Sequence, residues 1–459
     1  MVPFIDGIEL ARPALFDDRA DSWITYGDLR ALALEWAARL HGMRDLVFVY
    51  ARNDIESVGA LLGALAAGHA IALFDSNLPQ TARTEIEAIY GPAWVVGPGH
   101  GELKAFKKRI EPISSALSML LSTSGSTGSA KLVRLGFSAL QSNAEGIADV
   151  LEIGEDDVAA GHLPLHYSYG LSVLTSHLLR GASVRLTEAS LTDRDFWKAM
   201  RVAEVTHLPG VPFHYHIILK LGLERLDVPS LRTLTQAGGA LAPELRRKAY
   251  NFMEERGGKF FVLYGQTEAA PRMTTLRHED FLAAPESVGN PLPGCRIEVQ
   301  APDSLGYGEV VFHGPNVMLG YAESRVDLAL GDELGGSLWT GDLGMLDEAG
   351  RLTLTGRARR SCKLFGLRIN LDEIESIANA VGPAAVTQSG ERLMVHVAST
   401  GDAAEDAVLT DAIMSRLRER LAVPLSSYQA RTVSALPRTE RGKIDYLELE
   451  QASEGVHRA

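Results

Sequence analysis

Between Leu46 and Phe74 three short segments follow one another so closely that they restrict the fold more than any other part of the chain. Leu46 to Ala51 is a continuous apolar run of strand length, Ile55 to Ala67 has the length and composition of a buried helix, and Ala70 to Phe74 is a second apolar strand. Strand, helix and strand in that order build an α/β domain with largely parallel sheets. Val58 to Phe74 is also the longest apolar run, but Gly59, Gly63, Gly68 and His69 interrupt it, and a membrane span needs about 20 predominantly apolar residues. A buried helix is expected there and no membrane span. Upstream, Thr25-Tyr26-Gly27-Asp28 reads as a helix cap ahead of Leu29, Leu32, Ala33, Trp36, Ala37 and Leu40, which share one face, with Gly42 as the stop.

The densest chemical signal is Leu121 to Leu132, LSTSGSTGSAKL. Apolar Met119, Leu120 and Leu121 lead into it as a short strand, and Leu140, Ala144, Ile147 and Leu151 follow at helical spacing behind a candidate cap at Ser138. Gly125 and Gly128 let backbone N–H groups turn toward a polyanion, Ser124, Ser126 and Thr127 add hydroxyl donors, and Lys131 adds a point charge. A solvated Ser/Gly linker has the same composition, but a linker has no reason to emerge from an apolar strand. The loop is not a Walker A loop, which ends in Gly-Lys-Ser/Thr where this chain has Ala130-Lys131-Leu132.

Two further segments carry nucleotide chemistry. Lys259 to Leu263 is a short strand running into Tyr264-Gly265-Gln266-Thr267-Glu268, where an aromatic ring, a tight turn, a hydroxyl and a carboxylate can stack a base, touch a phosphate and hold a hard cation. Asp342, within Thr340-Gly341-Asp342, suits a vicinal diol, although a turn Asp often does no more than cap its own backbone. The basic run after Gly356 marks a domain boundary. Beyond it, a helix opening at Asn370, a strand at Leu393 to Val397 and a helix carrying Leu409, Ile413, Leu417 and Leu421 make a small α+β domain.

These segments resemble, in order along nearly the whole chain, the signatures of the adenylate-forming superfamily, which includes acyl- and aryl-CoA synthetases, peptide-synthetase adenylation domains and luciferase. Thr123 to Gly128 and Lys131 match its phosphate-loop pattern T-S-G-S-T-G-x-P-K-G, with Ala130 in place of the Pro and Leu132 in place of the following Gly. Tyr264 to Glu268 resembles Y-G-x-T-E, Thr340 to Asp342 resembles T-G-D, and Pro437 to Lys443 resembles P-x-T-x-x-G-K. The resemblance implies a large multi-sheet α/β domain over residues 1–357 and a mobile α+β lid over 358–459, hinged near Arg359, where the family usually has an Asp or a Lys. It implies that Tyr264 packs on adenine, Thr267 meets the α-phosphate, Glu268 holds Mg²⁺, Asp342 holds the ribose, Arg357 contacts the nucleotide and Lys443 reaches into the site. Gly238, Gly239 and Ala240 become pocket walls near adenine and the acyl group, with Gly265 as the turn. His166, Tyr167, Tyr169, Gly170 and Phe213 line the acyl pocket.

The reaction so implied is ATP-dependent activation of a small carboxylic acid to an acyl-adenylate, with Mg²⁺, followed by transfer to coenzyme A or to the phosphopantetheine thiol of an acyl carrier protein. Tyr167 stands where amino-acid-activating members usually place an Asp, so an acid without an α-amino group is expected, since a buried ammonium with no countercharge is costly. An amino-acid-activating enzyme differs only in that pocket and stays open, as does a catalytically silent nucleotide-binding protein, against which both Lys131 and Lys443 speak. A formal charge of −13 over 459 residues disfavours nucleic acid as partner. Two cysteines far apart suggest neither a disulfide framework nor a zinc site, and with no secretory signal in view a cytoplasmic protein is expected.

Overall fold

The computed structural model describes residues 1–17, 21–97, 102–106, 111–122, 131–222, 227–303, 306–357, 361–364, 367–389, 392–420, 428–438, 444–446 and 448–450. The chain forms two compact units. The first comprises Met1–Glu298, Val311–Leu338 and Asp347–Leu352; the second comprises Val299–Val310, Trp339–Leu346 and Thr353–Ala459.

The first unit contains the expected parallel sheets. In one, strands Leu117–Ser122, Ala70–Asp75, Leu46–Ala51 and Trp94–Val96 lie parallel in that order. Their side chains are almost all buried, which is why the sequence shows unbroken apolar runs where a half-exposed strand would alternate. The other sheet runs Lys259–Gly265, Thr233–Gln236, His207–Gly210, Val158–Gly161, Ser183–Leu186 and Pro13–Asp17, all parallel, with antiparallel strands at both edges.

The helix cap at Thr25 forms as a reciprocal pair, in which the Thr25 hydroxyl accepts from the Asp28 amide at 3.1 Å and the Asp28 carboxylate accepts from the Thr25 amide at 2.8 Å. The helix it opens, Tyr26–Arg39, packs on helix Ile55–Ala66. The glycines that break up the apolar run lie in this contact: a Cβ at Gly63 would sit 2.6 Å from the Ala33 carbonyl oxygen. Among the described residues no helix is long and apolar enough to cross a membrane.

One local expectation is corrected. The loop after Ser122 does not lead directly into a helix, because strand Leu132–Gly136 intervenes and pairs antiparallel with Leu117–Ser122. Helix Phe137–Val150 then starts from Gly136, and Ser138 is not its cap. The second strand is hard to read because Arg134 is fully buried within it, its guanidinium donating to the carbonyls of Tyr321 at 2.9 Å and Leu330 at 2.6 Å.

In the second unit a sheet of Ala384–Ser389, Arg392–Ala398 and Tyr428–Val433 carries helices Leu371–Asn379 and Ala403–Arg420. Ile374, Ala378, Val386, Val395, Ile413 and Leu417 form its apolar core.

Candidate functional site

The chemistry of the first unit gathers at the carboxyl ends of parallel strands, the place where open α/β sheets bind ligands. Strand Lys259–Gly265 ends in a bulge at Tyr264 and Gly265 against strand Arg272–Leu276. Gly265 is required there, because any Cβ would collide with the Pro271 carbonyl. The tight return places Thr267 and Glu268 in one short turn. Thr267 is buried, its hydroxyl 3.1 Å from that of Ser168, while the half-buried Glu268 accepts a hydrogen bond from the Tyr321 hydroxyl at 2.9 Å.

Tyr321 makes a second contact. Strand Gly320–Ala322 pairs antiparallel with Leu132–Gly136, setting Ala322 opposite Leu132 and so bringing Tyr321 beside the residue that precedes that strand. The Lys131 ammonium lies 3.8 Å from the centre of the Tyr321 ring, a cation–π contact. Tyr321 thereby links the lysine of the hydroxyl-rich loop to the carboxylate of the Thr267–Glu268 turn.

The neighbouring strand, Thr233–Gln236, leads to Gly238, which takes a left-handed φ of 81°. Its missing side chain makes room for Tyr167: a Cβ would stand 2.6 Å from the Tyr167 hydroxyl. Gly239 is held by its carbonyl, which accepts from the Gln236 amide at 2.7 Å, and Ala240 is exposed beside it. Tyr167 precedes helix Ser168–Leu179, whose first turn holds Ser168 and Gly170, the latter packed against the carbonyls of Leu163 and Pro164. Tyr169 is buried, its hydroxyl 2.7 Å from that of Thr235, and burial pushes its pKa up to about 12. His166 lies 3.9 Å from the carboxylate of Asp75, at the end of strand Ala70–Asp75.

Lys131, Thr267 and Glu268 therefore meet around Tyr321 and Ser168, and Gly238 meets Tyr167. Phe213 does not join them, its side chain being 68% exposed. Asp342 belongs to the second unit, where it is buried and its amide donates to the Thr340 hydroxyl at 3.1 Å, and Arg357 ends strand Leu352–Arg357 in the same unit. Thr123, Ser124, Gly125, Ser126, Thr127, Gly128, the hinge at Arg359 and Lys443 lie outside the described residues. The residues that sequence reading missed are Tyr321, Ser168 and Asp75.

The donor set fits a nucleotide polyphosphate with a hard divalent cation. Among the described residues no three His, Cys, Asp or Glu side chains cluster as a self-sufficient metal cage. A single carboxylate suffices for Mg²⁺ when phosphate oxygens and waters supply most of its ligands, and the lysine would meet the phosphates themselves.

Residues 100–322 match the family described as AMP-binding enzyme. The chain is 28% identical over 480 residues to phenyloxazoline synthase MbtB of Mycobacterium tuberculosis, covering 95% of this chain and 33% of that protein. It spans about a third of the length of this synthase. It is 26% identical to the 2-succinylbenzoate–CoA ligase of Staphylococcus epidermidis, covering 77% of each. Its fold superposes on o-succinylbenzoate CoA synthetase (MenE) from Bacillus subtilis in complex with the acyl-adenylate intermediate OSB-AMP, with a TM-score of 0.77, 23% identity and 96% and 95% of the two chains covered. ATP-bound MatB from Rhodopseudomonas palustris gives a TM-score of 0.79 at 23% identity, covering 98% and 97%. The AMP-binding match spans the segment that holds Lys131, Thr267 and Glu268, and the chain has the fold of the synthetases on which it superposes.

Proposed function

We propose that this protein is an AMP-forming acid–thiol ligase. An oxygen of the substrate carboxylate attacks the α-phosphorus of ATP, the bond to the bridging oxygen breaks, and pyrophosphate leaves. A thiol, on coenzyme A or on a carrier-protein phosphopantetheine, then displaces AMP from the acyl group. The observation that carries this reading is the linkage of Lys131 to Glu268 through Tyr321, with the Thr267 hydroxyl in the same turn. It joins a cation for the leaving phosphates to a carboxylate for the metal, and such a reaction needs positioning and charge neutralisation more than a protein nucleophile.

In this reading Glu268 holds Mg²⁺, which would neutralise phosphate charge, and Lys131 with the hydroxyls of Thr123 to Thr127 holds the departing pyrophosphate. Thr267 donates to the α-phosphate, its orientation set by Ser168. Tyr264, Gly238 and Gly239 enclose the adenine, while Asp342 takes the ribose diol and Arg357 the phosphate side. Residues 358–459 act as a lid that turns near Arg359 and delivers Lys443. The test is pyrophosphate release with the full chain, ATP and a panel of aryl, short-chain, long-chain and amino acids. Release should depend on one class of acid, and Glu268→Gln should lower it by about a hundredfold or more. Acid-independent ATP hydrolysis, or full activity in Glu268→Gln, would contradict the proposal.

A second reading, activation of an α-amino acid for a carrier protein, is favoured by Asp75, a carboxylate 3.9 Å from His166 that could pair with an ammonium group. Tyr167 at the pocket wall argues the other way. Matched pairs decide: the acid without the α-amino group should be activated about ten- to a hundredfold better than the amino acid with the same side chain, the scale of an unpaired buried polar group. The reverse preference would establish the second reading.

A further inference from the structure

Behind the turn that carries Thr267 and Glu268 lie two asparagines, Asn143 of helix Phe137–Val150 and Asn316 of the segment leading to Tyr321, each only 1% exposed. The Asn143 side-chain amide donates to the main-chain carbonyl of Arg272 at 2.8 Å and to that of Ala269 at 3.4 Å. The Asn316 amide donates to the same two carbonyls, at 2.9 Å and 2.7 Å. A side-chain amide has two N–H donors and a carbonyl oxygen two lone pairs, so donors and acceptors match one for one. Neither asparagine has a proton left to offer a ligand. Their oxygens are engaged as well, Asn143 Oδ1 accepting from the Arg272 amide at 3.3 Å and Asn316 Oδ1 from the Cys295 thiol at 3.3 Å.

Two buried amides are a costly way to fill an interior. The other inward residues of helix Phe137–Val150 include Ala139, Leu140, Ala144 and Ile147, so an apolar side chain would suit position 143 if packing were its whole purpose. Room for Asn316 is made by Gly314, where a Cβ would stand 2.7 Å from both Asn316 Oδ1 and Cys295 Sγ. The segment after Asn316 grips Glu268 at two further points: the Met318 amide donates to the Glu268 carbonyl at 2.9 Å, and the Tyr321 hydroxyl to its carboxylate at 2.9 Å. Thr267 is held from another direction, by its hydroxyl contact with Ser168 at 3.1 Å. The turn is thus fixed in two halves, Thr267 from helix Ser168–Leu179 and Glu268 from the asparagine side.

We propose that Asn143 and Asn316 are positioning residues for Glu268. They hold the carbonyls that follow it in the turn, and so fix the direction in which its carboxylate leaves the backbone, without touching metal, nucleotide or acid. This inference rests on the ligase reading above, in which Glu268 holds Mg²⁺. Groups that orient a metal-binding side chain are typically worth about ten- to a hundredfold in metal affinity or activity. Asn143 and Asn316 lie 126 and 47 residues from Ala269, and they reach the same two carbonyls from opposite ends of the fold's chain order.

The test is calorimetric binding of MgATP and of AMP to the full chain, without acid, in the unaltered protein and in Asn316→Ala. Affinity for MgATP should fall by about ten- to a hundredfold. AMP, which needs no metal and meets Thr267, should bind as before. In a Glu268→Gln background the same Asn316→Ala change should cost no further MgATP affinity, because the residue through which it acts is already disabled. A purely structural role would weaken AMP too and would add to the loss in Glu268→Gln; either result overturns the inference, as does an Asn316→Ala protein with unaltered MgATP affinity. If Asn316→Ala does not fold, Asn143→Ala is read in the same way, since Asn316 then still serves both carbonyls. If neither folds, the asparagines are determinants of the fold and the inference fails. An unaltered protein that does not bind MgATP contradicts the ligase reading itself, which keeps the two failures apart.

Discussion

Tyr321 shows how much of this site depends on single side chains that carry no signature of their own. Its ring faces Lys131 and its hydroxyl holds Glu268, so Tyr321→Phe removes one function and keeps the other. A hydrogen bond to a charged group contributes about 1.5–3 kcal/mol, so this variant should raise the Mg²⁺ concentration for half-maximal pyrophosphate release by about tenfold with little change in melting temperature. An unchanged Mg²⁺ titration would show that Tyr321 does not position the metal carboxylate. The motif from Tyr264 to Glu268 was legible in the sequence because its groups are consecutive, and a strand end presents them together. Tyr321 is 53 residues from Glu268 and Ser168 is 99 from Thr267; only strand pairing and helix packing bring them into contact, and no local pattern encodes either.

At the scale of elements, the strand–helix–strand run from Leu46 to Asp75 formed within a residue or so of its expected bounds, because its apolar runs are long and its breaks are clear. The strand after the hydroxyl-rich loop was not legible, since a buried charge at Arg134 interrupts the apolar signal that would identify it. The contact between helices Tyr26–Arg39 and Ile55–Ala66 makes a quantitative claim. In Gly63→Ala the new methyl would meet the Ala33 carbonyl oxygen at 2.6 Å and the Ala37 nitrogen at 3.0 Å, both backbone atoms that cannot rotate away. Overpacking of this kind costs about 1–3 kcal/mol, and urea unfolding should show a loss in that range. Alanine is the better helix former, so a stabilised Gly63→Ala protein would mean the two helices are packed less closely than described.

The whole molecule carries a pH limit set by its interior imidazoles. His177 and His207 are buried and His162 and His214 half-buried, and loss of water holds their pKa values near 4, 3, 3 and 4 respectively. In the unfolded chain each titrates near 6.5. The unfolded state therefore binds protons that the folded state refuses, so their contribution is fully present above pH 6.5 and is lost as pH falls toward 4 to 3. Each such group can remove up to about 1.4 kcal/mol per pH unit in that window. Urea midpoints should agree closely at pH 7.5 and 7.0 and fall sharply by pH 5.5; a flat profile down to pH 5 would show that these rings are solvated in the native state. Isotope transfer from substrate to AMP reports which bond the reaction makes. With substrate acid labelled with ¹⁸O in the carboxylate being activated, AMP formed in each turnover to thioester should carry one labelled oxygen, because the bond made to the α-phosphorus comes from the carboxylate. Label appearing in inorganic phosphate alongside ADP, or AMP formed without label, would contradict it.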